Sequence, residues 1–599
     1  MAWYDEAVFY HIYPLGLTGA PKQNDYGEPV HRLNTLLPWV DHIKEIGGSA
    51  LYIGPLFESV GHGYETTDYK KLDSRLGTNE DLTAFVAYCH EQGIKVIFDG
   101  VFNHTGRDFF AFKDIQANRE NSQYKDWYCN VNFWGNNEYN DGFSYDNWGG
   151  YNLLVKLNQK NPAVVDYICD VIRFWVSEFD VDGIRLDAAD VLDFDFMKAL
   201  RRTANEVEPD FWLMGEVIHG DYSRWVNGET LHSVTNYTLH KALYSGHNDH
   251  NYFEIAHTVR RLQNMGTLKL YNFVDNHDVE RIYTKLTNKA HFAPVHVLLY
   301  TLPGVPSIYY GSEFGIEGRK EYGSDDSLRP ALNIEDYKDS VKTNPCTALI
   351  AALGKVRQAV PALSYGSYDE LMLTNRQFAY ARDLDGTRVI VSVNNDDAPA
   401  GMHLAAGNCT AYIGALSGEK VSVQDGHINI TQPANSGEIW VPEGTDLDVK
   451  PVKVVTKTES EAKTNTEDKA ASETATDAKG NKEAEPKIES KESKDIVTAT
   501  ESADAKKNTT NTEKNISAAN EVKDSAKDAS AQAAADTPVD PETITVDWSK
   551  SPESMTVPEL QAAILAKLAG NGPVDAQMKK TVTDNIWHDS LVNWLKSFR

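Results

Sequence analysis

From about residue 5 to residue 360, short apolar runs alternate with longer stretches whose apolar residues recur at helical spacing. The runs have the length of strands buried on both faces, and they read VFYHIYP, GSALYIGP, GIKVIFDG, DVDGIRLD, FWLMGE, LYNFVDN and VPSIYYG. The stretch 79–93 is typical of the helices between them, because its amphipathic pattern closes with Gly93. With a weaker strand at 232–237 the count reaches eight. This rhythm predicts a closed (β/α)8 TIM barrel rather than an open doubly wound sheet, since no Gly-rich phosphate loop follows the first strand.

Two breaks in this rhythm divide the chain further. Residues 105–152 are rich in aromatic side chains and Asn, and so long an insertion after the third strand predicts an inserted subdomain. The barrel then comprises residues 1–104 and 153–360. In residues 361–447 short alternating segments are separated by Gly, Asn and Asp, which predicts a small all-β sandwich behind the barrel.

The composition of the chain changes twice after residue 447. Residues 448–540 contain no Phe, Tyr or Trp and consist mostly of Lys, Glu, Asp, Ala, Thr and Ser, a composition that predicts a disordered linker. Residues 541–599 predict a short helical C-terminal element with two apolar stripes, formed by Leu560, Ile564, Leu565 and Leu568 and by Trp587, Leu591, Trp594, Leu595 and Phe598. The two helices either dock on a partner or self-associate, or they pack back on the preceding domains, and the sequence leaves both open.

Composition excludes some classes of function. The net charge of −29 argues against a nucleic-acid groove, which needs a concentrated basic surface. No apolar run is long enough to span a membrane. The five cysteines are scattered and odd in number, which favours a reducing compartment. Because no signal-peptide pattern opens the sequence, we expect a soluble cytoplasmic protein.

Acidic residues stand at the ends of several predicted strands. GIRLD ends at Asp187, LMGE ends at Glu216, and FVDNHD carries Asp275 and Asp278. The carboxyl ends of parallel barrel strands meet at one face, where loops build the site. A single acid in this place is often only a helix cap. Several, with His104, Arg185 and His277 beside them, instead indicate the paired carboxylates of a glycoside hydrolase.

Six motifs then follow one another in a recognisable order. They are GYETTDYKKLDSRLGTNEDL at 63–82, DGVFNH at 99–104, GIRLD at 183–187, GEVIH at 215–219, FVDNHD at 273–278 and PGVPSIYYGSEFG at 303–315. In order and spacing this set resembles the α-amylase clan of glycoside hydrolases, family 13. The resemblance covers residues 5 to about 445 and is closest to the branch of cyclomaltodextrinase, neopullulanase and maltodextrin glucosidase.

The resemblance implies roles for individual residues. Asp187 would be the nucleophile, Glu216 the proton donor and then the base, and Asp278 the carboxylate that steadies the transition state. The substrate-binding residues implied are Tyr64, His104, Arg185, His219, His277, Asp325 and Arg329, with Asp326 competing with Asp325 for its place. Asp99 and Asn103 would support the third strand's loop and His104. Arg185 lies two residues before Asp187 on the same strand face, so we expect it to favour the ionised nucleophile.

The resulting expectation is a retaining hydrolase of α-1,4 links in maltodextrins or cyclodextrins, with an oligosaccharide α-glucan as its substrate and with some α-1,6 or transfer activity left open. Two alternatives stay open: a transglycosylase of the same clan, and a catalytically inactive glucan-binding or assembly module. The chemistry requires no cofactor. Calcium binding is left open, because Asn103 resembles a calcium ligand of the family but no full oxygen cage is evident. Oligomeric state is also open, because the additional β-domain through which the branch usually dimerises does not precede the first strand.

Overall fold

The structure is a computed structural model. It describes residues 2–449 apart from Thr267, Tyr322 and Gly323, together with 451, 546, 550–552, 555–569, 582 and 595. The chain forms two compact units, residues 1–483 and 484–599. The predicted linker, 448–540, lies outside the described residues except for 448, 449 and 451.

Eight parallel strands form the centre of the first unit. They are β1 Phe9–Ile12, β2 Ala50–Ile53, β3 Lys95–Gly100, β4 Gly183–Leu186, β5 Trp212–Gly215, β6 Ser233–Val234, β7 Tyr271–Asn272 and β8 Val305–Tyr309. The order across the sheet is β6-β5-β4-β3-β2-β1-β8-β7. A parallel bridge between Thr235 and Tyr271 joins the two outer strands and closes the ring. The predicted (β/α)8 barrel is therefore confirmed, including its weak sixth strand.

Helices follow most of the barrel strands. The longer ones in the first unit are Leu37–Glu45, Asn79–Glu91, Phe110–Asn118, Pro162–Phe179, Phe194–Val207, Tyr237–Asn248, Tyr252–Asn264, Phe292–Thr301 and Pro345–Ala359, and the short ones are Pro14–Leu17, Ile282–Lys285, Ser340–Thr343 and Pro361–Tyr365. Local sequence sets the ends of Asn79–Glu91. Thr78 and Asp81 form a reciprocal capping box at its start, and Gly93 takes a positive φ of 77° just after its end.

The interior of the barrel is filled by a separate apolar cluster. Inward side chains from several strands meet there, namely Ala7, Phe9, Ala50, Tyr52, Ile97, Trp212, Met214, Tyr271, Phe273 and Val305. Because side chains of a strand alternate between its faces, the next inward position after Ile97 is Asp99, and the next after Met214 is Glu216. The apolar filling therefore gives way to polar groups towards the carboxyl ends of the strands.

The insertion after β3 is a folded subdomain, as predicted. It contains the helix Phe110–Asn118 and a three-stranded sheet in which Tyr151–Lys156 pairs with both His104–Thr105 and Asn147–Trp148. The strand Tyr151–Lys156 crosses the predicted boundary at residue 152. A second hairpin, Phe57–Ser59 with Thr66–Leu72, follows β2. Both additions rise from the carboxyl ends of barrel strands.

The predicted all-β sandwich is also confirmed. A six-stranded sheet has the order β9-β10-β11-β16-β13-β14, and β12 pairs with β15 in a second sheet. The strands are β9 Ser367–Leu373, β10 Gln377–Leu384, β11 Thr387–Asn394, β12 Ala400–Ala405, β13 Ala411–Gly414, β14 Lys420–Ser422, β15 His427–Gln432 and β16 Ser436–Pro442. One face of the larger sheet packs on the buried helix Phe292–Thr301. Its other face forms a core with the smaller sheet.

In the second unit the described helix is Val557–Ala569. Leu560, Ile564 and Leu565 are buried in a cluster with Val582 and Leu595, which confirms a helix for the first predicted stripe. The side chain of Leu568 and the second stripe, apart from Leu595, lie outside the described residues. No helix in the described ranges combines the length and apolar character that a bilayer crossing requires.

Candidate active site

One arginine gathers the acids at the carboxyl ends of β3, β4 and β5. The Nη1 atom of Arg185 donates to Asp187 Oδ1 at 2.9 Å and to Asp99 Oδ1 at 2.8 Å. The Nη2 atom of the same guanidinium lies 2.9 Å from Glu216 Oε2. Asp187 and Glu216 are thus held on the two terminal nitrogens of one side chain. They share a single site instead of occupying separate cavities.

The backbone after β4 is shaped around this pair. Ala188 follows Asp187 in a left-handed conformation with a φ of 47°, which is rare for a residue with a Cβ and is often found at functional sites. In that conformation its N–H donates to Glu216 Oε2 at 3.2 Å. The turn therefore fixes Glu216 against the strand that carries Asp187.

Burial and like charges dominate the electrostatics of Asp187. Burial raises its pKa well above the ordinary value, the carboxylates of Glu216, Asp99 and Asp278 raise it further, and Arg185 opposes them. The sequence predicted that Arg185 would favour the ionised form of Asp187, and Arg185 does lower the pKa of Asp187. In the structure Arg185 is shared among three carboxylates, so one positive charge faces up to three negative ones. Such a cluster favours the uptake of a proton.

Aromatic and histidine rings lie beside the carboxylates. The hydroxyl of Tyr64 hydrogen-bonds with His277 Nε2 and donates to Asp99 Oδ2 at 3.2 Å. The rings of Tyr64 and His277 are nearly parallel, with centroids 5.7 Å apart. His104 is buried, and burial lowers its pKa to about 4. Its Nε2–H donates to the main-chain oxygen of Tyr64 at 3.0 Å, and Asn103 lies 3.2 Å from its Nδ1. In this geometry His104 holds Tyr64 in place.

Asp278 lies on the far side of His277, whose Nε2 is 3.2 Å from Asp278 Oδ2. Arg329 binds this acid, because its Nη2 donates to Asp278 Oδ1 at 2.9 Å and to Asp325 Oδ2 at 3.0 Å. Asp326 instead pairs with Lys22 on the surface. Of the two neighbouring acids that competed in the sequence, the structure brings Asp325 to the site.

Two of the sequence-derived candidates have other positions. His219 is exposed three residues after Glu216, and no hydrogen bond or ion pair links it to the three carboxylates in the described part of the chain. Asp275 is buried at the end of β7 and accepts from the N–H of Ile282 at 2.8 Å and from Ser312 Oγ at 2.7 Å. Asp275 therefore anchors loops and does not face the cluster.

Sequence reasoning missed three neighbours of the cluster. Tyr237 follows the weak strand β6 and donates its hydroxyl to Glu216 Oε1 at 3.3 Å. Asn276 donates to the Tyr237 hydroxyl at 3.2 Å and accepts from the N–H of Asp278 at 2.8 Å. Tyr52, at the end of β2, donates to Asp99 Oδ2 at 2.8 Å. Applying the strand-end rule to tyrosine as well as to acids identifies Tyr52 and Tyr237.

Asn103 is the residue that the sequence associates with calcium binding. Its Oδ1 is buried without a hydrogen-bond partner among the described residues, so it is an oxygen of the kind calcium uses. No group of three or more His, Cys, Asp or Glu side chains in the described ranges is arranged to hold a metal ion. One amide oxygen falls short of the roughly six to eight oxygens that calcium takes. Calcium binding therefore stays a prediction.

Comparison with known proteins identifies the family of the barrel domain. Residues 32–355 match the model of the alpha-amylase catalytic domain. A cyclomaltodextrinase from Bacillus sp is 31% identical over 422 residues, covering 66% of this chain and 74% of the relative. Neopullulanase 2 from Thermoactinomyces vulgaris is 29% identical over 473 residues, covering 73% and 78%. The solved structure of a cyclomaltodextrinase superposes with a TM-score of 0.65 at 26% identity, covering 73% of this chain and 78% of that one.

Proposed function

The chain belongs to the α-amylase family and is a glycoside hydrolase, and on that premise we propose that it hydrolyses α-1,4 links in maltodextrins or cyclodextrins with retention at the anomeric carbon. The observation that carries this proposal is the arrangement of Asp187 and Glu216 on one guanidinium. Retaining glycosidases place their two carboxyl groups close together, so that one attacks while the other transfers the proton.

The first half of the proposed reaction cleaves the glycosidic bond. Arg185 binds Asp187 Oδ1, which leaves Oδ2 to attack the anomeric carbon. As the new C–O bond forms, the bond to the glycosidic oxygen breaks, and Glu216 gives its proton to that oxygen so that the leaving chain departs as an alcohol. The product is a glycosyl ester of Asp187.

The second half resolves the ester with water. Glu216, now ionised, takes a proton from a water molecule whose oxygen attacks the anomeric carbon, and Asp187 leaves as a carboxylate. In this scheme Asp278, Tyr64 and His277 surround the sugar ring whose glycosidic bond is cleaved. Asp278 supplies negative charge beside the developing positive charge at the anomeric carbon, and Tyr64 presents a ring to the apolar face of the sugar.

The choice of substrate rests on the relatives. Two of them are named for cyclomaltodextrins and for pullulan, and a neutral sugar is compatible with the net charge of −29. All five cysteines are free of disulfide bonds, which supports a reducing compartment. We therefore place the enzyme in the cytoplasm as part of the proposal.

A substrate panel tests the proposed function. We would incubate the enzyme with β-cyclodextrin, pullulan, starch and maltotriose and follow the anomeric form of the first product by NMR. We expect maltodextrin or cyclodextrin hydrolysis with an α-anomeric product. A β-anomeric product would contradict retention, products longer than maltotriose would favour the transglycosylase, and inactivity on all four would favour the inactive binding module.

Docking or self-association through the C-terminal element stays a prediction. Removing residues 449–599 tests it, because this deletion removes the C-terminal element and keeps the residues of the active site. We expect a change in oligomeric state by size-exclusion chromatography with light scattering. An unchanged mass together with unchanged partners would contradict the prediction.

A further inference from the structure

The insertion after β3 concentrates exposed aromatic rings. Eight large apolar side chains are exposed among the described residues, and four of them, Phe110, Trp134, Tyr139 and Tyr151, belong to this one insertion. Trp134 is the extreme case, with 97% of its surface exposed. Single exposed apolar side chains are ordinary, but a local concentration of them marks a binding surface.

Trp134 stands on an ordered turn. Asn132 and Ser144 pair through both of their main-chain hydrogen bonds, at 2.8 and 3.0 Å, and the side chain of Asn132 accepts from the N–H of Trp134 at 3.0 Å. The ring is therefore presented to solvent by a fixed backbone. A backbone that is already fixed loses little conformational entropy when a ligand stacks on the ring.

One polar network connects the ring of Tyr139 with the backbone next to Tyr151. The guanidinium of Arg107 lies 3.8 Å from the centre of the Tyr139 ring, is bound by Asp141, and donates to the hydroxyl of Tyr145 at 2.7 Å. That hydroxyl donates to the main-chain oxygen of Asn152 at 2.8 Å, directly after Tyr151. The two rings thus belong to one scaffold, which also contains the paired residues 132 and 144.

The chemistry of this surface suits a neutral polyhydroxylated ligand. Residues 130–152 contain seven asparagines, whose amides both donate and accept hydrogen bonds. Arg107 and Asp141 neutralise each other. In the described residues, Trp134, Tyr139 and Tyr151 make no ring contact with another aromatic side chain, so no other ring covers them. The exposed rings can stack on the apolar faces of sugars, whereas a dimer interface needs a continuous surface of about 800 Å² per partner.

One strand links this surface to the active site. The strand that begins at Tyr151 ends at Lys156, which pairs with His104, and His104 holds Tyr64 in the active site. Five residue steps at about 3.3 Å each separate the two ends of this strand. A ligand that contacts both regions must extend well beyond the sugar whose glycosidic bond is cleaved.

We propose that Trp134, Tyr139 and Tyr151 form an accessory α-glucan-binding surface, called here the insertion surface, which holds longer chains outside the cleavage site. This proposal rests on the proposed function, because it assumes that the enzyme acts on α-glucans. The insertion surface contributes to the affinity for polymeric substrate and contributes nothing to the cleavage of short oligosaccharides.

Affinity electrophoresis of the full chain through native gels containing soluble starch tests the proposal. The Asp187→Ala background prevents digestion of the gel. We expect Trp134→Ala, and to a lesser degree Tyr151→Ala, to raise the apparent Kd for starch about fivefold, the scale of one lost aromatic contact. Phe253→Ala is the matched control, since Phe253 is 46% exposed on the helix Tyr252–Asn264, remote in sequence from the insertion.

Kinetic measurements on variants that keep Asp187 distinguish a failure of this proposal from a failure of the proposed function. We expect Trp134→Ala to raise KM for starch and to leave kcat and KM for maltotriose unchanged. Unchanged retardation and unchanged KM for starch would overturn the insertion surface while leaving the proposed function intact. A loss of self-association in Trp134→Ala would also overturn it, in favour of a second copy as the occupant. Wild-type inactivity on both substrates would instead reject the proposed function.

Discussion

The two ends of the barrel are built from the same strands and carry opposite chemistry. On β5, Trp212 and Met214 point into the apolar interior, and Glu216 lies at the next inward position. On β3, Ile97 belongs to the apolar cluster and Asp99 to the carboxylate cluster. Two residues along a strand therefore separate a region that excludes charge from one that concentrates it.

This contrast indicates a division of labour. Large apolar and aromatic side chains at the amino-terminal end remove surface from water and stabilise the fold. At the other end three carboxylates share one guanidinium in a buried site, an arrangement that costs stability because buried charges lose hydration. Substitutions at the apolar end should therefore lower stability, and those at the polar end should lower activity.

The largest expected effect is at the polar end. Glu216→Gln removes the proposed proton donor and should lower kcat by about 10²- to 10⁴-fold, the usual contribution of general acid–base catalysis. Steady-state kinetics on maltotriose measures this.

Asp187→Asn should lower kcat at least as much, and because it removes a like charge from the cluster, its melting temperature should be equal to or above that of the wild type. The control is Asp326→Asn, since Asp326 is exposed and pairs with Lys22 at the surface. Substantial turnover by either site variant would refute the assigned roles.

At the apolar end, Trp212→Ala should lower the free energy of unfolding by about 3–5 kcal/mol, because it leaves a cavity among Phe9, Tyr271 and Met214. Urea unfolding followed by circular dichroism measures the change. Phe253→Ala, on an exposed site, should cost far less. A destabilisation as small as that of the control would contradict the view that this cluster stabilises the barrel.

Buried histidines make the apolar regions sensitive to acid. Burial lowers the pKa of His296 to about 4, from about 6.5 in the unfolded chain. The unfolded state therefore binds more protons between these values, and stability is complete above pH 6.5 and falls as the pH drops towards 4. Each pH unit in this window costs about 1.4 kcal/mol for one such group. His296→Leu should flatten the dependence of the unfolding free energy on pH, whereas the exposed control His257→Leu should leave it unchanged. An equally steep dependence in His296→Leu would contradict the assignment.

The smallest expected effect concerns the contact between Tyr237 and Glu216. Tyr237→Phe removes a hydrogen bond to Glu216 Oε1 and the acceptor of the Asn276 amide, a loss on the order of 1 kcal/mol or about fivefold in kcat. Because Tyr237 acts through Glu216, the pH profile of kcat should also shift, while KM changes little. The matched control is Tyr88→Phe, whose hydroxyl donates to Asp41 at the surface. An unshifted profile would mean that Tyr237 only fills space.

Long periodic patterns made the fold predictable. Each of the seven apolar runs became a barrel strand, because a run buried on both faces fits a parallel sheet and little else. The sandwich followed from alternation, and the helix Asn79–Glu91 followed from its cap and its closing glycine. The end of the insertion was harder to predict, because its last strand, Tyr151–Lys156, pairs with His104–Thr105 between residues that lie at least 50 positions apart in the sequence.

The sequence by itself determined which acids end the barrel strands, because strand direction and a period of two place Asp187 and Glu216 at one face before any coordinates are known. Only the tertiary structure decided how Arg185 is shared, which of Asp325 and Asp326 reaches the site, and that Tyr237 touches Glu216. Those outcomes depend on side chains from different strands meeting within about 3 Å, a scale of hydrogen bonding. Spacing along one strand cannot fix such contacts, since they depend on the tilt and closure of the whole barrel.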